Sequence, residues 1–160
     1  NDVWSSKDGV TWTEVTASAG WSARSQAMMS ALVHDGKMWI LGGKNDDGFQ
    51  NDVWSSKDGV TWTQVTASAG WSPRMQQRAL AYDEKIWVIG GLGADHYGDI
   101  WSSRAGVIWT KVTPAAGWST RRLMETLIYK EKMWLIGGYS DGSGGGVSSR
   151  KSDVWATIAP

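Results

Sequence analysis

The side chains able to do chemistry in this 160-residue chain are few and scattered. It holds two histidines, His34 and His96, and no cysteine, which removes disulfides and thiolate metal sites. His34 occupies a position where other copies of an internal repeat carry Tyr82 and Tyr129, so a structural role is expected. His96 stands in Gly-Ala-Asp-His-Tyr-Gly and is expected on a solvated loop, where one His beside Asp95 makes only a weak metal motif. Asp46-Asp47 lacks the spaced carboxylate series of a strong calcium site and is expected to form a turn. The glycine run 142–146 lacks the Gly-Lys-Ser/Thr ending of a phosphate loop and reads as a flexible connection. Acid-base catalysis needs matched polar groups in one cavity, and the candidates Glu125, Arg78 and Arg122 are few and dissimilar between repeats. No catalytic residue, metal site or cofactor is expected.

Charge narrows the field further. Sixteen basic residues balance sixteen acidic ones, and no basic surface is expected to displace counterions from nucleic acid or to attach to an anionic membrane. No apolar stretch approaches the roughly 20 residues that span a bilayer. The chain opens Asn-Asp-Val-Trp without an initiator Met and reads as processed or trimmed.

The elements that must position these groups come from a repeat. Thirteen Trp against a single Phe indicate that one motif has been copied. Residues 1–24 return at 51–74 with two changes, Glu14 to Gln64 and Ala23 to Pro73. A diverged copy starts at Asp99, and a partial fourth copy, Ser-Asp-Val-Trp-Ala, starts near Asp153. The starts at Trp4, Trp54, Trp101 and Trp155 are 50, 47 and 54 residues apart. The length varies between a Gly-Gly pair and the next start, as indels in a surface loop would. The repeats divide the single domain 1–160 at about 1–50, 51–98, 99–152 and 153–160. Their near-identity points to recent duplication or deliberate construction.

Each unit reads as four short strands. In the second unit these are Arg78 to Tyr82, Lys85 to Ile89 stopped by Gly90-Gly91, Asp99 to Ser102, and Ile108 to Val112. Asp8-Gly9, Asp58-Gly59 and Asp35-Gly36 are hairpin-turn signals. No 3.6-residue period is sustained, so an all-β chain of four-stranded antiparallel units is expected. At this period such units are propeller blades.

The segments MWILGG (38–43), IWVIGG (86–91) and MWLIGG (133–138) resemble the kelch signature. The downstream DVW and TWTxV segments match the third and fourth kelch strands. The resemblance covers essentially the whole chain, recurs three times in register, and implies about three kelch-like blades. Ser6 to Trp12 also resembles a shortened Asp-box, a structural hairpin motif that carries no implication of sialidase activity. One departure stands out: where kelch blades of the bacterial type often carry Gly-His, this chain has Met28-Met29, Gln76-Gln77 and Leu123-Met124. The family also implies rings of six or seven blades.

Three blades leave two uncovered apolar end faces. The chain opens with the third and fourth strands of one blade and ends with the first, second and apparently third strands of another. A homodimer closing one six-bladed ring is therefore expected, as a binding or assembly scaffold and not an enzyme. Asp2-Val3-Trp4 and Asp153-Val154-Trp155 then compete for one slot at each seam. First strands line a propeller channel and its mouth, so Arg24, Met28, Met29, Arg74, Gln76, Gln77, Arg121, Leu123 and Met124 form the candidate binding residues at the mouth; the alternative is that these segments supply channel-filling side chains under weak constraint. For the three arginines the alternative is structural, holding neighbouring carbonyls. The DVW and MW tryptophans are expected in the core, Trp21, Trp71 and Trp118 less so. The second functional class is a carbohydrate-binding or sugar-isomerase-like propeller, with a protein or a glycan as the ligand. The copper-oxidase version of the fold is excluded because its cross-linked cofactor requires Cys.

Overall fold

The computed structural model describes residues 1–24, 30–140 and 148–157; Met28, Met29 and the glycine run 142–146 lie outside the described residues. Among those described, the chain is all-β, with thirteen strands and no helix. They form a two-stranded hairpin, β1 (Val3–Ser5) and β2 (Thr13–Thr16), then two four-stranded antiparallel sheets. The first full sheet runs β3 (Ser30–His34), β4 (Lys37–Asn45), β5 (Gly48–Ser56), β6 (Thr63–Thr66). The second runs β7 (Arg78–Tyr82), β8 (Lys85–Leu92), β9 (His96–Ser103), β10 (Thr110–Thr113). A three-stranded sheet of β11 (Glu125–Tyr129), β12 (Lys132–Ser140) and β13 (Ser149–Ala156) follows. Within each sheet the strands pair in sequence order, and β7 lies beside both β3 and β11.

Local chemistry explains the hairpins. Asp35-Gly36 joins β3 to β4 with φ of 49° and 64°, both positive, as a two-residue turn matching the strand twist requires. Asp83-Glu84 and Lys130-Glu131 adopt the same positive φ without a glycine, at φ 48–57°. The Asp46-Asp47 turn forms as expected, with Asn45 Oδ1 accepting from the Asp47 amide. The first strand of the second unit has its expected bounds, but the others differ. β8 runs to Leu92 through Gly90-Gly91, because the pair is a bulge inside the strand and does not end it. The bulge brings in backbone from beyond the sheet: a Cβ on Gly90 would stand 2.8 Å from the carbonyl oxygen of Arg121. β9 begins at His96, three residues before the expected Asp99, and β10 starts at Thr110, two residues after Ile108.

The Asp-Gly pairs at 8–9 and 58–59 sit in hairpins with longer loops than a two-residue turn. Asp58 Oδ1 accepts from the amides of Val60 and Thr61, while Ser56 Oγ accepts from those of Asp58 and Gly59. Residues 6–11 repeat this network. The third loop carries Ala105 in place of the Asp and keeps only the serine half, with Ser103 Oγ accepting from Gly106 N.

Apolar side chains pack between sheets in three clusters. The central one joins Trp39, Leu41 and Val53 of the first full sheet to Ile86, Val88, Trp101 and Trp109 of the second, with Ala69 and Trp71 from the connection. A second cluster lies between the second full sheet and the β11–β13 sheet, around Ile89, Trp118 and Leu135. The third, between the β1–β2 hairpin and the first full sheet, is smaller, with Ala19, Trp21 and Ile40.

Candidate functional site

One arginine per repeat organises the junctions. Each precedes the first strand of a sheet and grips the aspartate of the DVW-type segment on the third strand of that sheet. Arg24 donates to both carboxylate oxygens of Asp52. Arg74 does the same to Asp99 at 2.6 and 3.1 Å, and Arg121 to Asp153 at 2.6 and 2.9 Å. Each guanidinium also donates to a carbonyl of the glycine bulge, Gly42, Gly90 or Gly137. Each aspartate in turn accepts from the indole of the Trp two residues on. A planar fork that reaches both oxygens of a carboxylate and a backbone carbonyl at once is a geometry lysine cannot copy. Meanwhile the backbone of Arg74 bonds the preceding sheet, through Gly43 N and Gln50 O. The residue therefore ties two sheets together, and Arg121 repeats the arrangement with Gly91 and Tyr97.

Electrostatics follow the pairing. Burial alone would raise the Asp99 carboxyl, but the hydrogen bonds and charge of Arg74 outweigh it and hold it below the usual range. The hydrogen bond from Arg121 holds Asp153 well below that range against a smaller burial effect. Asp2, on the hairpin, is lowered chiefly by the Trp4 indole, and its side chain is 60% exposed with no arginine beside it.

The described members of the candidate channel-mouth set lie mostly in packed positions. The side chains of Arg24, Arg74 and Arg121 are 0–1% exposed and fully engaged, so the structural alternative describes them. Gln77 and Met124 are buried outright, and Gln77 Nε2 donates to Leu41 O of the preceding sheet. Gln76, also buried, accepts from Arg122, and Leu123 alone of the described set is exposed. Arg78 pairs with Glu125 across β7 and β11, which engages two of the three acid-base candidates; Arg122 also stacks over Tyr139. His34 Nε2 donates to the Arg104 carbonyl, a link between sheets. His96 is not on a solvated loop: it opens β9, buried, near the Tyr139 ring. Among the described residues no three His, Cys, Asp or Glu side chains gather as a metal site.

The tryptophans also need correcting. Trp71 and Trp21 are among the most buried residues of the chain, and Trp118 is buried too, at 9% exposure. Trp21 meets Trp62 edge-to-face at 4.4 Å, and Trp71 meets Trp109 at 5.9 Å, each pair joining neighbouring sheets. The DVW tryptophans are buried or half-buried in the middle of the molecule, but Trp4 and Trp155 are exposed.

Exposure of large apolar groups concentrates on two faces. The hairpin presents Trp4 and Trp12, the latter 57% exposed where its counterpart Trp109 is 8% exposed. The β11–β13 sheet presents Ile136, Val154 and Trp155, with Ile136 40% exposed where its counterpart Leu41 is fully buried. Beside Trp155 an open apolar groove of about 170 Å³ runs along Ile89, Trp118 and Leu135. Sequence reasoning named Asp2 to Trp4 and Asp153 to Trp155 at these edges; it missed Trp12 and Ile136, which alignment with the buried Trp109 and Leu41 would have found.

No protein-family model matches the chain, and no curated protein matches it.

Proposed function

We propose that this chain is a non-enzymatic, kelch-like half-propeller that pairs with a second copy to close a six-bladed ring, and that the ring serves as a binding or assembly scaffold. The observation that carries the reading is the complementarity of the two incomplete sheets. The β1–β2 hairpin corresponds to β5–β6 and β9–β10, the two outer strands of a full sheet. The β11–β12 pair corresponds to β3–β4 and β7–β8, the two inner strands. One copy's hairpin beside the other copy's inner pair makes a fifth and sixth four-stranded sheet, and a twofold axis makes both at once. Trp4 and Trp12 of the hairpin and Ile136 of the β11–β13 sheet are exposed apolar groups at these two ends, as expected of surfaces that are covered in the working particle.

Light scattering coupled to size-exclusion chromatography, across a dilution series, tests the reading. The expected result is a particle of twice the chain mass that dissociates on dilution. A monomer at every concentration sinks it.

A further inference from the structure

The groove beside Trp155 has an internal template. In the central junction, Leu41, Val53, Ala69, Trp71 and Val88 surround the indole of Trp109, which comes from the loop before β10. Their counterparts one repeat on are Ile89, Ile100, Ala116, Trp118 and Leu135, and all five line the groove. What the groove lacks is the tryptophan. The chain has one tryptophan of this type without such a socket: Trp12, on the exposed loop of the β1–β2 hairpin. The neighbouring glycine agrees. A Cβ on Gly106 would stand 2.6 Å from Trp39 of the preceding sheet, whereas one on Gly9 would meet nothing within 4 Å.

Charge complementarity fixes how the hairpin would arrive. β13 sets Val154 opposite Ile136 and Trp155 opposite Leu135, the register in which β9 sets Ile100 opposite Ile89 and Trp101 opposite Val88. Asp2-Val3-Trp4 has the same three residues, and Asp2 has no arginine in its own chain. Asn1 donates to the carbonyls of Ala19 and Trp21, so the hairpin and the connection behind it form one unit that can dock together. Resting on the self-association reading above, we infer that the two copies join by strand exchange: the second copy's Asp2 takes the Arg121 fork, and its Trp12 fills the groove. Asp153-Val154-Trp155 is then a self-occupying strap. It satisfies Arg121 in the free chain and must peel from Ser152 onward before the seam closes, while Ser149 to Lys151 can stay paired with Gly138 to Ser140. The strap sets the affinity, because a competitor tethered in the same chain lowers the fraction of binding-competent molecules.

Two isosteric changes give opposite signs. Asp2→Asn removes a charge that in the free chain touches only Trp4 and the amino terminus, so the monomer fold is retained. It should weaken the dimer by about a hundredfold or more, the order expected for losing one partner of a buried ion pair. Asp153→Asn loosens the strap and should tighten the dimer. Trp12→Ala, at a side chain exposed in the free chain, should weaken it by about a hundredfold or more. Sedimentation velocity over a dilution series reads all three. If the unaltered chain dimerises but Asp2→Asn leaves the dissociation constant unchanged, or Asp153→Asn raises it, the exchange is wrong and the dimer uses another surface. A chain that is monomeric throughout overturns the exchange together with the reading beneath it.

Discussion

The junction between the two full sheets and the outer parts of the β1–β2 hairpin and the β11–β13 sheet are made from the same repeat, yet only the first is buried. In the central junction every repeated group has its counterpart: Trp71 meets Trp109, Gly106 accommodates Trp39, and Arg74 holds a largely buried Asp99. At the seams the same groups stand open. Trp12 and Ile136 face solvent, and the Asp153 side chain is 38% exposed although its arginine is buried. The comparison separates what a unit needs in order to fold from what it needs in order to be covered. The loop at residues 6–11 makes the same network as the one at 56–61 although only the second has a neighbouring sheet beside it, so this network depends on local sequence. Burial differs, so it depends on the neighbour.

The largest break in this comparison should come from the arginines. Arg74→Met strands Asp99 between packed sheets, and removing one member of such a pair costs about 3–5 kcal/mol. Arg121→Met should cost clearly less in the free chain, because Asp153 can turn to water. Urea unfolding monitored by circular dichroism, at concentrations where the chain is monomeric, measures both. Equal losses would mean that the forks act locally and that sheet-to-sheet burial adds nothing.

A smaller effect sharpens the same contrast at one atom. Gly106 and Gly9 both have positive φ, 71° and 74°, so a side chain at either costs about 1 kcal/mol in conformational strain. Gly106→Ala must also push against Trp39, which adds about 1–3 kcal/mol of overpacking. Gly9→Ala carries the backbone cost alone in the free chain. Thermal unfolding of the two variants should therefore rank Gly106→Ala as the worse. A tie would show that the Trp39 ring yields freely and that the central junction is not tightly packed there.

Much of the fold was legible because the repeat repeats its chemistry. Four strands per unit, the Asp35-Gly36 turn and the open seams follow from residue spacing. The turns at Asp83-Glu84 and Lys130-Glu131 were not legible from turn chemistry, since non-glycine residues rarely hold positive φ, and only alignment to Asp35-Gly36 reveals them. Gly90-Gly91 misled in the other direction. A glycine pair ends a strand when it faces solvent, but here it bulges so that the Arg121 carbonyl can bond Gly91 N. The Arg-Asp forks were hidden by their separation of 25 to 32 residues, which no local pattern marks. Gln77 and Met124 read as surface groups because their burial comes from neighbouring first strands, a property of the stacked sheets and not of any one unit.

The smallest expected effect tests whether the loops are as independent of their neighbours as this contrast requires. Asp8 is held at about 2 by the amides of Thr11 and Val10, and Asp58 is lowered by the corresponding pair. A carboxyl lowered on folding stabilises the native state above its unfolded value near 4, and that contribution fades as pH falls through the folded value. The third loop has no such carboxyl, and Ala105→Asp would supply one beside the amides of Val107 and Ile108, with Ser103 Oγ already in place on Gly106. The variant should be modestly more stable than the parent at neutral pH. The gain should shrink as pH drops from about 4 towards 2. Unfolding midpoints in urea at pH 7, 4 and 2.5 give the profile. A gain that ignores pH would mean that the new side chain acts by packing; a loss at every pH would mean that the third loop, which sits against Trp39 as the first does not, has a shape imposed by its neighbour and cannot close around a carboxylate.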